Sequence, residues 1–262
     1  MAIAPEKPRE TSVDDVRGPS SIAFRDFDFV DFGCSTGGSM EFARGRLGGV
    51  RGLGLEMDPA KVAACRKAGF EAHEIDVSTL DPRRTGTVRF SVLSHFLEHL
   101  PSLKLAGKCI ESAIAVSDEF VLIRQPYFDA DYYLKALGLN LYWSNWIGHK
   151  NHMMARDFRD ILDPLLARRR FRRYFMFSRS RIADSNDPCL HPLSSPIDQC
   201  EWDAAVHGEK PFYNFSVPVY REIGVLIHTR ARKLDEKPRR FLLSCDVTHD
   251  SQKDPIASGS GG

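Results

Sequence analysis

The 262-residue chain is long enough for one large α/β domain with a buried core, and its balance of 36 basic against 35 acidic side chains leaves no global field to steer it toward nucleic acid or an anionic membrane. No apolar stretch approaches the roughly 18 to 20 residues that span a bilayer, and the polar segment Met1–Ser20, with Pro5, Pro8 and Pro19, has no secretory apolar region. Six scattered cysteines (Cys34, Cys65, Cys109, Cys189, Cys200 and Cys245) lack the pairing of a disulfide scaffold, so a reducing cytoplasm is expected.

Residues 1–24 read as a flexible tail, 25–232 as the single folded domain and 233–262, ending Ser258-Gly-Ser-Gly-Gly262, as a disordered tail. In chain order, Phe27–Phe32 predicts a first strand that breaks sharply into Gly33-Cys34-Ser35-Thr36-Gly37, a turn that lays backbone N–H groups open to a ligand. Gly33 and Gly37 stand where a nucleoside-bearing cofactor would press hardest. Ser35 or Thr36 can cap the next helix, Gly38 to about Leu47, which Gly48-Gly49 stops. Val50–Met57 is strand two. Its Glu56 lies 19 residues beyond Gly37, close to the roughly 20-residue interval at which an acid accepts hydrogen bonds from a ribose; an exposed strand end is the alternative.

Asp58-Pro59 opens a helix to Lys67 closed by Gly69, and Phe70–Val77 is strand three, carrying Asp76. Val88–Ser94 is strand four, followed by His95-Phe96-Leu97-Glu98-His99-Leu100-Pro101. Leu103–Val116 has helical apolar spacing and Glu119–Arg124 is strand five. This alternation argues a doubly wound parallel sheet, α/β in class, with Gly33, Glu56, Asp76 and Ser94 converging on its carboxyl edge.

From Gln125 to about residue 160 the rhythm breaks. Asp129–Leu139 looks helical, and Tyr142–His152, rich in aromatics and donors, is a candidate substrate-covering insertion, with core packing of Trp143 and Trp146 as the alternative. Ala155–Leu166 is another helix. Arg168-Arg169-Arg170 and Arg172-Arg173 precede a sixth strand, Tyr174–Phe177; a solvated face or an anionic substrate would each account for them. Residues 184–218 read as a long polar connection whose Cys189, His191, Cys200 and His207 match no zinc spacing, so no metal site is expected. Glu222–Ala231 is the last strand.

Asp31–Gly37 resembles the first motif of class I S-adenosylmethionine-dependent methyltransferases, an acid-x-Gly-x-Gly-x-Gly loop, with Ser35 in place of the middle glycine; a Gly-x-Gly-x-x-Gly dinucleotide fingerprint fits less well. His95–Pro101 resembles the signature after strand four in many small-molecule members. The resemblance implies a seven-stranded, mainly parallel sheet with an antiparallel last strand and helices on both faces. It also implies S-adenosyl-L-methionine as cofactor, held by Asp31, Gly33, Cys34, Ser35, Gly37, Glu56, Met57, Asp76, Val77, Ser94 and His95. Asp76 would meet the adenine amino group, unless it simply caps the turn at Ser78.

The implied reaction is in-line methyl transfer to an oxygen or nitrogen of a small-molecule or sugar acceptor, an anionic one included, by positioning. A hydroxyl acceptor needs a base, for which His149, His152 and His95 are candidates; His99 reads equally as a surface histidine. The Asp/Asn-Pro-Pro-Tyr tetrapeptide of nucleic-acid amino methyltransferases is replaced by Ser94-His95-Phe96-Leu97, which speaks against base methylation and against a nucleic-acid partner. A nicotinamide-dependent oxidoreductase and a catalytically silent binding subunit remain as alternatives, though no Tyr-x-x-x-Lys hydride-site pair accompanies the loop.

Overall fold

Four largely buried strands and the more polar edge segment Glu71–Glu74 build the parallel part of a central sheet. The computed structural model describes residues 22–200, 202–230 and 234–253. Strands β1 (Phe29–Phe32), β2 (Gly52–Glu56), β3 (Glu71–Glu74), β4 (Val88–Ser94) and β5 (Ser117–Pro126) alternate with helices α1 (Gly38–Phe42), α2 (Pro59–Lys67), α3 (Pro82–Thr85) and α4 (Leu103–Val116). There follow α5 (Asp131–Ala136), β6 (Leu139–Leu141), α6 (Ala155–Ala167), β7 (Arg173–Asp184), β8 (Leu190–Pro192), α7 (Ala204–His207), β9 (Asn214–His228), α8 (Glu236–Leu243) and β10 (Asp246–Asp250).

The large sheet runs β3-β2-β1-β4-β5-β9-β7-β10. The first five strands are mutually parallel, whereas β9 lies antiparallel to both β5 and β7, and β10 antiparallel to β7. Doubly wound α/β topology is as the alternation predicts, with an antiparallel strand beside β5 as the resemblance implies. Among the described residues the large sheet has eight strands rather than seven. Residues 234–253, expected to be part of a disordered tail, instead supply α8, whose Phe241 and Leu242 are buried, and the edge strand β10. Their charged composition hides an amphipathic pattern that pairs with β7. At the other end Phe24 is fully buried and its N–H donates to Thr85 O at 2.7 Å, so the domain begins before residue 25; residues 1–21 and 254–262 of the expected tails lie outside the described residues.

Two apolar layers flank the sheet. In one, Phe29, Phe90 and Phe120 stack across β1, β4 and β5 with ring centroids 5.1 and 4.7 Å apart, an offset arrangement that favours aromatic pairs. Glycine in β2 follows from this: a Cβ on Gly52 would stand 2.1 Å from the Phe29 ring, and one on Gly54 2.4 Å from Cys34 Sγ. A satellite core of Phe128, Leu134, Leu139, Leu141, Trp143, Ile182, Leu190 and Val219 sits where β7 and β9 outrun the sheet and the two-stranded pair β6/β8 lies over them.

The structure revises three expectations, the first two of them through that satellite. The helix expected over Asp129–Leu139 stops at Ala136, with Gly138 at φ 74°, and Leu139 joins a strand. The expected polar connection 184–218 contains β8, α7 and the first turn-free stretch of β9. The first helix has no side-chain cap from Ser35 or Thr36; Gly37, at φ 103°, takes the cap position, and the helix continues as a wider π turn, Ala43–Leu47, ended by Gly48. Asp58 does cap α2, accepting from the N–H groups of Ala60 and Lys61 at 2.8 and 3.3 Å.

Candidate active site

A cleft of about 260 Å³ opens at the carboxyl edge of β1–β4, lined by Gly33, Ser35, Leu55, Glu56, Met57, Lys61, Ile75, Asp76, Val77, His95, Phe96, His99 and Leu100 among others. Of the eleven residues that the first motif and its companions point to, seven line it: Gly33, Ser35, Glu56, Met57, Asp76, Val77 and His95. The remaining four stand apart from its wall. Cys34 is fully buried with its thiol 3.8 Å from Cys65 Sγ, so its side chain belongs to the core. Gly37 faces Phe70, whose ring a Cβ would approach to 2.8 Å; its role is backbone conformation and packing. Ser94 is 8% exposed and lines neither this cleft nor its neighbour. Asp31 is fully buried beneath the loop, where Oδ2 accepts from Ser39 Oγ and Oδ1 has no hydrogen-bond partner. Burial pushes its carboxyl up to about 7, offset in part by the Ser39 hydroxyl and reinforced by the nearby Glu56 charge.

Glu56 ties the loop together. One oxygen accepts the Ser35 N–H at 3.0 Å and the other those of Met57 and Asp58 at 2.9 and 3.1 Å. Ser35 is held at φ 48°, a region uncommon outside glycine and asparagine. Asp76 Oδ1 accepts from Ser78 N at 2.8 Å, so it caps the turn Val77–Thr79 while also lining the cleft.

A second cavity of about 460 Å³ adjoins the first, lined by His95, Glu98, His99, Pro126, Tyr142, Trp143, Trp146, His149, Cys189, Cys200, Arg221 and Glu222. His95 and His99 belong to both. The aromatic insertion is thus a wall of this cavity, as its position after β5 suggested. It is fixed by backbone bonds from Lys150 N and Asn151 N to Glu98 O, at 2.8 and 3.0 Å, and by Gln125 Nε2 donating to Met153 O at 2.7 Å. The two tryptophans divide the roles weighed for them. Trp143 is 5% exposed and donates Nε1–H to Tyr127 O at 2.9 Å, a core residue with one edge on the cavity; Trp146 is half-buried.

The candidate bases differ in charge and place. His95, at φ 52°, lies 3.5 Å from both Glu222 Oε2 and Glu98 Oε1. Burial alone would lower its pKa, but the two carboxylates outweigh it and hold the imidazole near 9. His95 is therefore a cation at neutral pH, suited to donating rather than accepting a proton. Glu222 is held down to about 2: burial works against this, and His95, Arg124 and Arg179 prevail. His149 is shifted the other way, downward by burial despite its bond to Trp143 O and the Glu98 charge, so it is neutral. His152 reaches neither cavity; it stacks on Phe128 with centroids 4.3 Å apart and lies 3.9 Å from Asp131 Oδ2.

The basic run does not serve the site. Arg173 pairs in register with His228, which is also opposite Phe120 near the start of β5, whereas the cleft lies toward Pro126 and Glu222; Arg168–Arg173 thus sit at the amino edge. Besides the cationic His95, the second cavity is lined by Arg221, paired with Asp187 at 2.8 Å, which single-residue reasoning missed because nothing in its local sequence marks it. Of the metal-capable residues of the 184–218 stretch, His191 and His207 lie against each other with ring centroids 4.2 Å apart. Among the described residues one group of three comes together, Glu98, His99 and His149, with a candidate ligand atom of each within 4.8 Å of the others.

No family model matches the chain, and no curated protein matches it. Solved structures do. A methyltransferase dependent on S-adenosylmethionine from Archaeoglobus fulgidus superposes with a TM-score of 0.52 at 14% identity, over 77% of this chain and 85% of that one. A possible histamine N-methyltransferase from Thermotoga maritima gives 0.47 at 12% identity, over 78% and 82%. The magnesium protoporphyrin IX methyltransferase of Synechocystis PCC 6803 gives 0.45 at 14%, over 78% and 74%. The first of these likenesses identifies the fold as the Rossmann-like one of class I methyltransferases.

Proposed function

We propose that this chain, which has the class I methyltransferase fold, binds S-adenosyl-L-methionine in the cleft at the carboxyl edge of β1–β4 and transfers its methyl group to a small-molecule acceptor in the adjoining cavity. The observation that carries the reading is the placement of Glu56 and Asp76 on one cleft together with the glycine turn and the apolar side chains Leu55, Ile75, Val77 and Leu100; Asp58, Lys61, His95 and His99 complete its polar lining. That donor and acceptor set fits an adenosyl group: Glu56 keeps lone pairs for a ribose diol beyond its bonds to the loop, Asp76 keeps Oδ2 for an exocyclic amine, and the apolar walls suit a planar base. Bound there, the cofactor would supply an electrophilic methyl carbon, to which an acceptor lone pair would bond in line as the S–CH3 bond breaks and S-adenosylhomocysteine leaves.

The protein's own part is positioning and electrostatics. Tyr142 and Trp146 offer aromatic surface, Trp143 one edge and Arg221 a charge, a combination suited to a polar ring such as a sugar. His95 offers a proton-bearing nitrogen between the two cavities. His149 is uncharged, and because its Nδ1 bonds Trp143 O at 2.8 Å, it keeps an Nε2 lone pair for a proton or a Lewis acid.

Calorimetric titration with S-adenosylmethionine, S-adenosylhomocysteine and NAD tests the first step. Saturable binding of the first two and not the third is expected; binding of NAD alone would favour an oxidoreductase. A screen of hydroxylated and aminated small molecules with a labelled methyl donor tests turnover and separates an enzyme from a silent binding subunit.

A further inference from the structure

We propose that Glu98, His99 and His149 form a binding site for a divalent transition-metal ion at the junction of the two cavities. Glu98 is 1% exposed, yet neither carboxylate oxygen accepts a hydrogen bond. A buried carboxylate left in that state costs several kcal/mol unless a cation compensates it. The nearest one, His95, is 3.5 Å away and is shared with Glu222. The carboxylate instead borders the acceptor cavity with two imidazoles beside it.

Both imidazoles are set up as ligands. His99 Nδ1 lies 3.1 Å from Gly148 O and His149 Nδ1 2.8 Å from Trp143 O. A carbonyl can only accept, so each Nδ1 carries the proton and each Nε2 keeps its lone pair. Tethering of the far nitrogen to a backbone carbonyl is the outer support typical of metal-bound histidine. The chain assembles the trio through the bonds from Lys150 and Asn151 to Glu98 O and from Asn151 Nδ2 to Leu97 O at 3.2 Å.

Two imidazole nitrogens and one carboxylate suit zinc, iron, cobalt or manganese in the divalent state, and three protein ligands leave at least one position open. All three residues line the acceptor cavity, so that position is available to an acceptor oxygen, which the ion would orient and acidify. Ion binding itself does not depend on the methyl-transfer reading; this use of the ion rests on it.

The test uses the full chain stripped with a chelator and titrated with cobalt(II), followed by visible absorption, and with zinc(II), followed by calorimetry. One ion per chain is expected. Glu98→Gln, close in shape, and His149→Ala, at a half-buried surface position, should each weaken binding by more than about tenfold, at least the loss that outer partners of a ligand cause, whereas His152→Ala should leave it unchanged. Circular dichroism and S-adenosylhomocysteine affinity, both expected to be retained in Glu98→Gln, separate loss of the site from loss of the fold. Absence of saturable binding in the wild type, or binding as tight as the wild type's in both site variants, overturns the proposal. Metal binding without S-adenosylhomocysteine binding overturns the methyl-transfer reading and leaves the metal site standing.

Discussion

The carboxylate of Glu56 accepts the backbone N–H of Ser35 at 3.0 Å, so the end of β2 holds the loop after β1 in its left-handed bend. The same side chain faces the cleft, so on the proposed reading cofactor binding and loop geometry are coupled through one residue. Glu56→Ala is expected to weaken S-adenosylhomocysteine binding by at least about tenfold, the loss of one hydrogen bond to a charged group, and to lower the melting temperature because three backbone N–H groups lose their acceptor. Glu56→Gln, which keeps one carbonyl oxygen, should fall between. Unchanged calorimetric affinity in the alanine variant would remove Glu56 from the cofactor site.

Asp31 should make stability fall as pH rises. Burial first, then the Glu56 charge, raise its carboxyl from 3.8 to about 7 against the opposing Ser39 bond. Between those values the native state holds a proton that the unfolded chain has released, so the contribution is complete below about pH 4 and lost as pH climbs through 7. Asp31→Asn, still able to accept from Ser39, should flatten the plot of melting temperature against pH over that interval. An equal slope in both proteins would contradict the assignment.

Glu222 holds three cations together. Arg124 Nε donates to it at 3.0 Å, Arg179 lies at 3.3 Å and His95 at 3.5 Å. Its side chain is 10% exposed and that of Arg124 15%. Removing one partner of a buried pair strands the other, so Glu222→Ala is expected to cost about 3 kcal/mol in urea unfolding.

The two tryptophans of the insertion should separate stability from acceptor use. Trp143→Ala removes a buried ring and its bond to Tyr127 O, and is expected to cost about 3 to 5 kcal/mol. Trp146→Ala should unfold like the wild type and raise KM for the acceptor once one is known; the reverse pattern would exchange their roles.

Local chemistry made the geometry of the first cleft legible. Glycine at position 33, the acid at 56 and the Asp58-Pro59 cap are short-range signals: β1 ends just before Gly33, β2 ends at Glu56 and α2 begins at Pro59 behind Asp58. Distance along the chain hid the rest. His149 meets Glu98 only because the insertion folds back onto the turn after β4. His95 and His149 look alike in sequence, and opposite environments send their pKa values apart. β9 begins at Asn214 rather than Glu222 because its first residues pair with the far end of β7, a partner that no local pattern announces. Cys34, in the loop by sequence, turns inward because Gly54 leaves room for its sulfur.

Strand β10 occupies the outer flank of β7, with Arg173 bonded to Asp250 across the pair. Ending the protein at residue 233, where composition alone suggests dispensable sequence, would therefore strip a row of amide and carbonyl groups bare along β7. Such a row recruits the same row on another copy, and the shortened protein would be prone to self-association although its cofactor residues were intact.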